Sequence, residues 1–104
     1  MFRGFEWDPQ KNAANLAKHG IDFDDAIGVF DGPVLEPAVP QKPSGEVRFL
    51  AIGIADERVT AVVYPPRGRN RRIISARRAS RRERATYRQA FPPGSQGEDR
   101  LGPG

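Results

Sequence analysis

The sequence predicts an α+β domain with two N-terminal helices, a three- to four-stranded antiparallel sheet and a C-terminal helix. Two segments with helix-capping signals occupy the first third of the chain. Three runs suited to strands follow, joined by connections too short for crossovers. The 104 residues give room for one domain, which we expect to span residues 1–91. Residues 92–104 are rich in Gly and Pro and predict a disordered tail.

The first helix carries signals at both ends. Residues 5–7 form a candidate edge strand, and Asp8 and Pro9 then supply an N-cap and a proline suited to the first helical position. We expect the helix to run to about Lys18 and to end at Gly20. Its predicted buried face has helical i, i+3, i+4 spacing and consists of Ala13, Leu16 and Ala17.

A second helix is predicted directly after the first. Asp22 is its candidate N-cap, and residues 31–33 (Asp-Gly-Pro) stop it. Its apolar face also has helical spacing and consists of Phe23, Ala26, Ile27 and Phe30. Residues 37–45 hold three prolines and a glycine, which is typical of a loop.

Three segments predict the strands of the sheet. Residues 47–55 and 58–64 flank a two-residue turn, and residues 71–77 follow as the third strand. Alternation predicts two faces for this third strand: Ile73, Ser75 and Arg77 on one, and Arg72, Ile74, Ala76 and Arg78 on the other.

The last helix opens with a capping box, formed by Ser80 and Glu83. Tyr87 and Phe91 are four residues apart and form its predicted apolar face. A second face carries three cations: Arg81, Arg84 and Arg88.

The net charge of +4 hides a strong asymmetry. Residues 1–66 hold 6 basic and 10 acidic residues, whereas residues 67–91, here called the Arg block, hold 10 Arg, one Glu and no Lys. The planar guanidinium fork matches phosphate oxygens, so the block indicates a polyanion-binding surface with nucleic acid as the first candidate. An acidic protein partner and a merely solvated surface are the alternatives.

Composition excludes several classes of site. The chain has no Cys, which excludes disulfides, thiolate zinc sites and thiol catalysis, and its one His excludes a metal site that needs two imidazoles. We therefore expect no metal and no cofactor. No apolar run is long enough to span a membrane, and the N-terminus lacks a signal-peptide pattern, so we expect a cytoplasmic protein.

A carboxylate beside several arginines is able to cleave RNA without a metal. The ribose 2′-OH attacks the adjacent phosphate, Arg stabilises the growing charge, and a carboxylate takes the proton. Glu46 and Arg48 point the same way at the start of the first of the three predicted strands. The plain alternatives are a surface ion pair for Glu46 and Arg48, a helix-end cation for His19 and a buried hydroxyl for Ser75.

The candidate residues fall into two groups. The catalytic candidates are, in order of preference, Glu46, Arg48 and Arg77, then Arg72, and last His19 and Ser75. The candidates for RNA binding are Arg71, Arg78, Arg81, Arg84, Arg88 and Lys18.

Three separated motifs resemble the BrnT toxin family over roughly residues 5–91. The first comprises Phe5-Glu6-Trp7-Asp8, Lys11, Asn15, Lys18-His19-Gly20, Phe23, Ala26 and Val29-Phe30. The second comprises Glu46, Arg48-Phe49 and Ile52-Gly53, and the third comprises residues 72–77 (Arg-Ile-Ile-Ser-Ala-Arg), Glu83 and Tyr87.

The resemblance implies a ribonuclease toxin of a type II toxin–antitoxin pair with a fold related to the RelE toxins. It also implies translation inhibition and a BrnA-like ribbon-helix-helix antitoxin, which forms a hetero-oligomer with the toxin and carries the DNA contacts. Two other functions fit the Arg block: a non-catalytic nucleic-acid-binding or transcription-regulating module, and an interaction protein that docks an acidic partner.

Overall fold

The computed structural model describes residues 2–37, 45 and 47–93, and it confirms the α+β class. Its elements are β1 (Gly4–Glu6), α1 (Pro9–His19), α2 (Phe23–Ala26) continued by a 3₁₀ helix (Ile27–Asp31), β2 (Phe49–Ala55), β3 (Arg58–Tyr64), β4 (Pro66–Arg67), β5 (Asn70–Arg72), β6 (Ser75–Arg78) and α3 (Arg81–Ala90). In this part of the chain no helix is both long and apolar enough to cross a membrane. Glu46, most of the predicted 37–45 loop and the tail after Pro93 lie outside the described residues.

The strands form two three-stranded sheets. The main sheet is antiparallel with the order β2-β3-β6, and the second has the order β1-β5-β4, with β1 parallel to β5. Residues 5–7, the candidate edge strand, correspond to β1, which ends at Glu6. Its parallel partner, β5, belongs to the Arg block, so the second sheet joins the N-terminal segment to that block.

The prediction of one continuous strand over residues 71–77 is wrong. β5 ends at Arg72 in one sheet and β6 begins at Ser75 in the other. The two residues between them serve different sheets, because the Ile73 amide donates to the Glu6 carbonyl and the Ile74 amide donates to Val63.

This change of sheet shifts the alternation of side chains. Ile73 is fully buried in the same core cluster as Ala76, three positions away. Ser75 and Arg77 are in register with Val63 and Ala61 of β3. Their side chains therefore lie on the other face of the main sheet. The predicted face of Ile73, Ser75 and Arg77 is therefore wrong.

One face of the main sheet packs against α2 and the 3₁₀ helix. The core there is formed mainly by Phe23, Ala26, Val29, Ala51, Val62, Tyr64, Ile73 and Ala76. Gly53 of β2 lets the 3₁₀ helix approach closely, since a Cβ at this position would lie 2.9 Å from both the carbonyl oxygen and the Cβ of Val29.

The other face packs against α3 through Tyr87, which is fully buried beside Ile52 and Ala61. The Tyr87 hydroxyl donates to the Pro33 carbonyl at 2.9 Å, and the Tyr87 and Phe91 rings lie 5.2 Å apart. At the start of α3, Ser80 and Glu83 form the predicted capping box.

Helix α1 begins after the Asp8 cap and is followed by Gly20, whose φ of 74° needs a glycine. Its predicted buried face is wrong: Ala13 and Ala17 are exposed, and Leu16 is 45% exposed. The physical reason is that α1 lies along the edge of the main sheet, beside β6. A polar residue, Asn15, is buried there instead.

The Asn15 amide completes the edge of the main sheet. It donates to the Ala76 carbonyl at 2.9 Å and accepts from the Ala76 amide at 3.1 Å. A further hydrogen bond of 2.9 Å joins it to the Ile21 carbonyl. At the opposite edge, Leu35 exchanges two 2.8 Å hydrogen bonds with Ile52 of β2. Side-chain and loop atoms thus satisfy backbone groups that the strands leave open.

Candidate functional site

Four cations from four parts of the fold line one open groove of about 460 Å³. Lys11 comes from α1, Arg48 precedes β2, Arg67 belongs to β4 and Arg72 ends β5. The rest of the lining is Val47, Pro65, Pro66 and Ile74. This surface, here called the basic groove, brings together two catalytic candidates, Arg48 and Arg72, and adds two cations that were not predicted.

Glu6 organises the wall of the basic groove. Its carboxylate accepts from Arg72 at 2.7 Å and from the Asn70 amide at 3.0 Å, and the Arg67 Nε lies 3.5 Å away. The hydrogen bonds from Asn70 and Arg72 lower the pKa of Glu6. Glu6 therefore stays ionised at neutral pH, orients Arg72, and is a weak proton acceptor.

A second open groove, of about 250 Å³, continues along α1. It is lined by Lys11, Ala14, Asn15, Lys18, His19, Ile74 and Ser75, and is here called the helix groove. It shares Lys11 and Ile74 with the basic groove, so the two are adjacent. The structure thus places three predicted site residues, Lys18, His19 and Ser75, in a groove that adjoins the one lined by Arg48 and Arg72. His19 also lines a small cavity of about 80 Å³ with Asp25 and Arg78.

Arg77 lies apart from both grooves. Its guanidinium donates to the two oxygens of Glu83 at 2.8 and 3.0 Å. Glu83 also accepts from the Ser80 amide at 2.8 Å as part of the capping box. Hydrogen bonds from the Arg77 guanidinium and the Ser80 amide lower the pKa of Glu83 to about 2. The hydrogen bond to Glu83 in turn raises the pKa of Arg77. This pair fastens β6 to the start of α3.

Arg71 points into a group of aromatic rings. Its guanidinium carbon lies 4.2 Å from the centroid of Phe30, 4.6 Å from Phe2, 5.4 Å from Tyr64 and 5.7 Å from Phe5. Burial and a hydrogen bond to the Glu36 carboxylate raise the pKa of Tyr64. Cation–π contacts of this kind stabilise the fold, and they give Arg71 a packing role.

The remaining arginines proposed for RNA binding are distributed over other surfaces. Arg78 and Arg81 are exposed. On α3, Arg84 donates to the Ala79 carbonyl at 2.7 Å, and Arg88 lies over the Tyr87 ring at 5.6 Å. The structure therefore spreads the Arg block over several surfaces, among them the basic groove, the ring cluster around Arg71 and α3.

Sequence reasoning missed Glu6, Lys11 and Arg67 as site residues. In the sequence, Glu6 and Lys11 stand out only within the motifs that resemble the BrnT family, and Arg67 only within the Arg block. The missing signal is the parallel pairing of β1 with β5, which sets Glu6 directly opposite Arg72 although 66 positions separate them in the chain.

Comparisons with known proteins identify the family of the chain. The family model described as "Ribonuclease toxin, BrnT, of type II toxin-antitoxin system" matches residues 7–83, which include the four cations of the basic groove. No curated protein matches the chain. Among solved structures, the crystal structure of the Brucella abortus ribonuclease toxin BrnT has a TM-score of 0.56 and 32% identity, covering 75% of this chain and 97% of that chain. The chain belongs to the BrnT family of ribonuclease toxins of type II toxin–antitoxin systems.

Proposed function

We propose that this chain is an endoribonuclease that holds the scissile phosphate in the basic groove and cleaves without a metal. The observation that carries the proposal is the convergence of Lys11, Arg48, Arg67 and Arg72 on one open surface. Phosphodiesters are anionic, and charge-assisted hydrogen bonds from guanidinium groups are among the strongest that proteins offer them.

In the proposed reaction the ribose 2′-oxygen attacks the adjacent phosphorus and the bond to the 5′-oxygen breaks. The products are a 2′,3′-cyclic phosphate and a 5′-hydroxyl, so the 2′ proton leaves and the 5′-oxygen gains one. Arg48 and Arg72 stabilise the charge that grows on the phosphoryl oxygens. Because Glu6 already orients Arg72, little reorganisation is needed during the reaction.

The proton transfers need two further groups. Glu46 is our candidate base, because it lies two residues before Arg48, which lines the basic groove. His19 and Ser75 line the adjacent helix groove, where they suit the leaving 5′-oxygen. Losing a general acid or base typically lowers the rate by about 10²–10⁴-fold.

We further propose the cellular setting that the family suggests. The toxin domain spans residues 1–91, has a fold related to the RelE toxins, and acts on RNA of translation in the cytoplasm. A BrnA-like ribbon-helix-helix antitoxin forms a hetero-oligomer with it and carries the DNA contacts. The exposed cations of α3 suit an acidic segment of that antitoxin, so binding weakens as salt rises.

The test is incubation of the purified chain with RNA in excess chelator. We expect cleavage by the parent and by the control Arg82→Ala, which removes an exposed Arg outside both grooves. Arg48→Ala and Arg72→Ala lose it. Retention of RNA without cleavage would favour the nucleic-acid-binding module, and no interaction with RNA would favour the interaction protein.

A further inference from the structure

A third cationic surface borders the turn of the β4–β5 hairpin. It is an open pocket of about 660 Å³ lined by Phe2, Arg3, Pro66, Gly68 and Arg69, here called the hairpin patch. We propose that the hairpin patch binds the sugar–phosphate backbone of single-stranded RNA next to the cleaved bond. This inference rests on the proposed function and extends it to a second RNA subsite.

The first argument is continuity with the basic groove. Pro66 lines both surfaces, so they adjoin at the hairpin. Arg67 borders the basic groove, and Arg69, two residues further on, borders the hairpin patch. An RNA strand that leaves the groove over Pro66 therefore meets a second set of cations at once.

The second argument is the charge of the patch. Arg3 and Arg69 are exposed, and neither forms an ion pair with another residue of the described ranges. This differs from Arg77, whose guanidinium is taken up by Glu83. None of the described lining residues is acidic, and the Phe2 ring offers an apolar surface beside the two cations. Cations next to an aromatic ring suit single-stranded nucleic acid.

The third argument is that the patch is held in place. The Arg3 amide donates to the Arg69 carbonyl, which fixes the N-terminal segment on the hairpin turn. Gly68 has a φ of 59°, as the first central residue of a type II′ turn requires. The half-buried Arg71 side chain places its guanidinium against the Phe2 ring and anchors the same hairpin to the core. A patch held in this way loses little freedom on binding RNA.

The experiment measures how binding depends on salt, with a fluorescent 2′-O-methyl RNA 12-mer that has no 2′-OH for cleavage. The variant is Arg3→Ala/Arg69→Ala, and the control is Arg58→Ala/Arg82→Ala, which removes two exposed charges outside the grooves and the patch. The logarithm of the association constant decreases linearly with the logarithm of the salt concentration, and the steepness of this line drops by about 0.7 for each phosphate that the protein no longer neutralises. We therefore expect the steepness to drop by about 1.4 for the variant and to stay unchanged for the control.

A second variant, Arg3→Lys/Arg69→Lys, keeps both charges and retains most of the slope. Circular dichroism melting confirms folding of every variant. An unchanged slope for the folded Arg3→Ala/Arg69→Ala variant overturns the inference. If this variant also loses affinity for the antitoxin, the patch is a protein-docking surface instead. Absence of cleavage in chelator is read separately on unmodified RNA and counts against the proposed function alone.

Discussion

Arg72 and Arg77 belong to the same Arg block, and each meets a glutamate, yet the two pairs are built differently. Glu83 gives both of its oxygens to Arg77 and also caps α3. Glu6 accepts from Arg72 through one oxygen, while the other accepts from Asn70. The first pair joins two elements of the fold, and the second supports a cation that lines the basic groove.

The difference teaches that a carboxylate partner does not by itself separate the proposed catalytic arginine from one that joins two elements of the fold. The surroundings of the pair decide it. Arg77 joins β6 to the first turn of α3 through Glu83, whereas Arg72 has Lys11, Arg48 and Arg67 around the same open groove. Several cations that line one open groove attract an anion more strongly than a single arginine paired with a glutamate does.

The largest expected effect is on cleavage. Arg72→Ala or Arg48→Ala should lower the cleavage rate by about 10²–10³-fold, because a charge-stabilising donor is lost. Arg77→Ala should keep the parent rate per folded molecule, since its guanidinium lies outside both grooves. The measurement is single-turnover cleavage of a labelled RNA, with the folded fraction determined by circular dichroism. A folded Arg77→Ala variant that loses cleavage would place the active site beside Glu83.

The next effect is on stability. Glu83→Gln removes the ionised partner of Arg77 and weakens the capping box, so it should reduce the free energy of unfolding by about 1–2 kcal/mol. Glu6→Gln should cost less in stability, since Glu6 lies at the surface, but it should slow cleavage by releasing Arg72. Urea denaturation gives the free energies. A larger loss of stability for Glu6→Gln would reverse the assignment of the two pairs.

The dependence on pH sharpens the same contrast. The pKa of Glu83 is about 2 in the folded chain against a usual value of 4.5, so its contribution to stability is complete above pH 4.5. As pH falls from 4.5 towards 2, the unfolded chain takes up the proton first and that contribution is lost. The difference in unfolding free energy between parent and Glu83→Gln should therefore shrink over this range. A difference that stays constant would contradict the shifted pKa.

The smallest effect is expected from shortening the chain. Phe91 packs against Tyr87 and is the last apolar contact of α3 among the described residues. A chain that ends at Phe91 should therefore keep its thermal midpoint and its cleavage rate within error. A fall of many degrees would show that residues 92–104 contribute to the packed domain.

Local signals predicted the ends of elements well. Asp8 and Gly20 bound α1, and Ser80 with Glu83 opens α3, because a cap is specified by residues a few positions apart. The prediction of the buried face of α1 is wrong, because apolar periodicity assumes that a helix covers an apolar surface. At the edge of a sheet the exposed backbone needs a polar partner, and Asn15 provides it.

The basic groove was only half predictable. The chemistry needs guanidinium groups, which predicts Arg48 and Arg72 as site residues, and both line the groove. Their neighbours depend on contacts between distant parts of the chain, such as the pairing of Glu6 with Arg72. The change of sheet between Arg72 and Ser75 also leaves Arg77 outside the basic groove. The sequence does not predict this change, because no local pattern marks the point where a chain passes from one sheet to another.

The hydrogen bonds of Asn15 and Leu35 have a consequence for how partners bind. Many proteins recognise one another by adding a strand to an open sheet edge. On the main sheet, the backbone is already occupied at Ala76 of one edge strand and at Ile52 of the other. Strand addition is blocked at these two positions, as is edge-to-edge aggregation. An inhibitor that covers this sheet must therefore recognise side chains rather than backbone there.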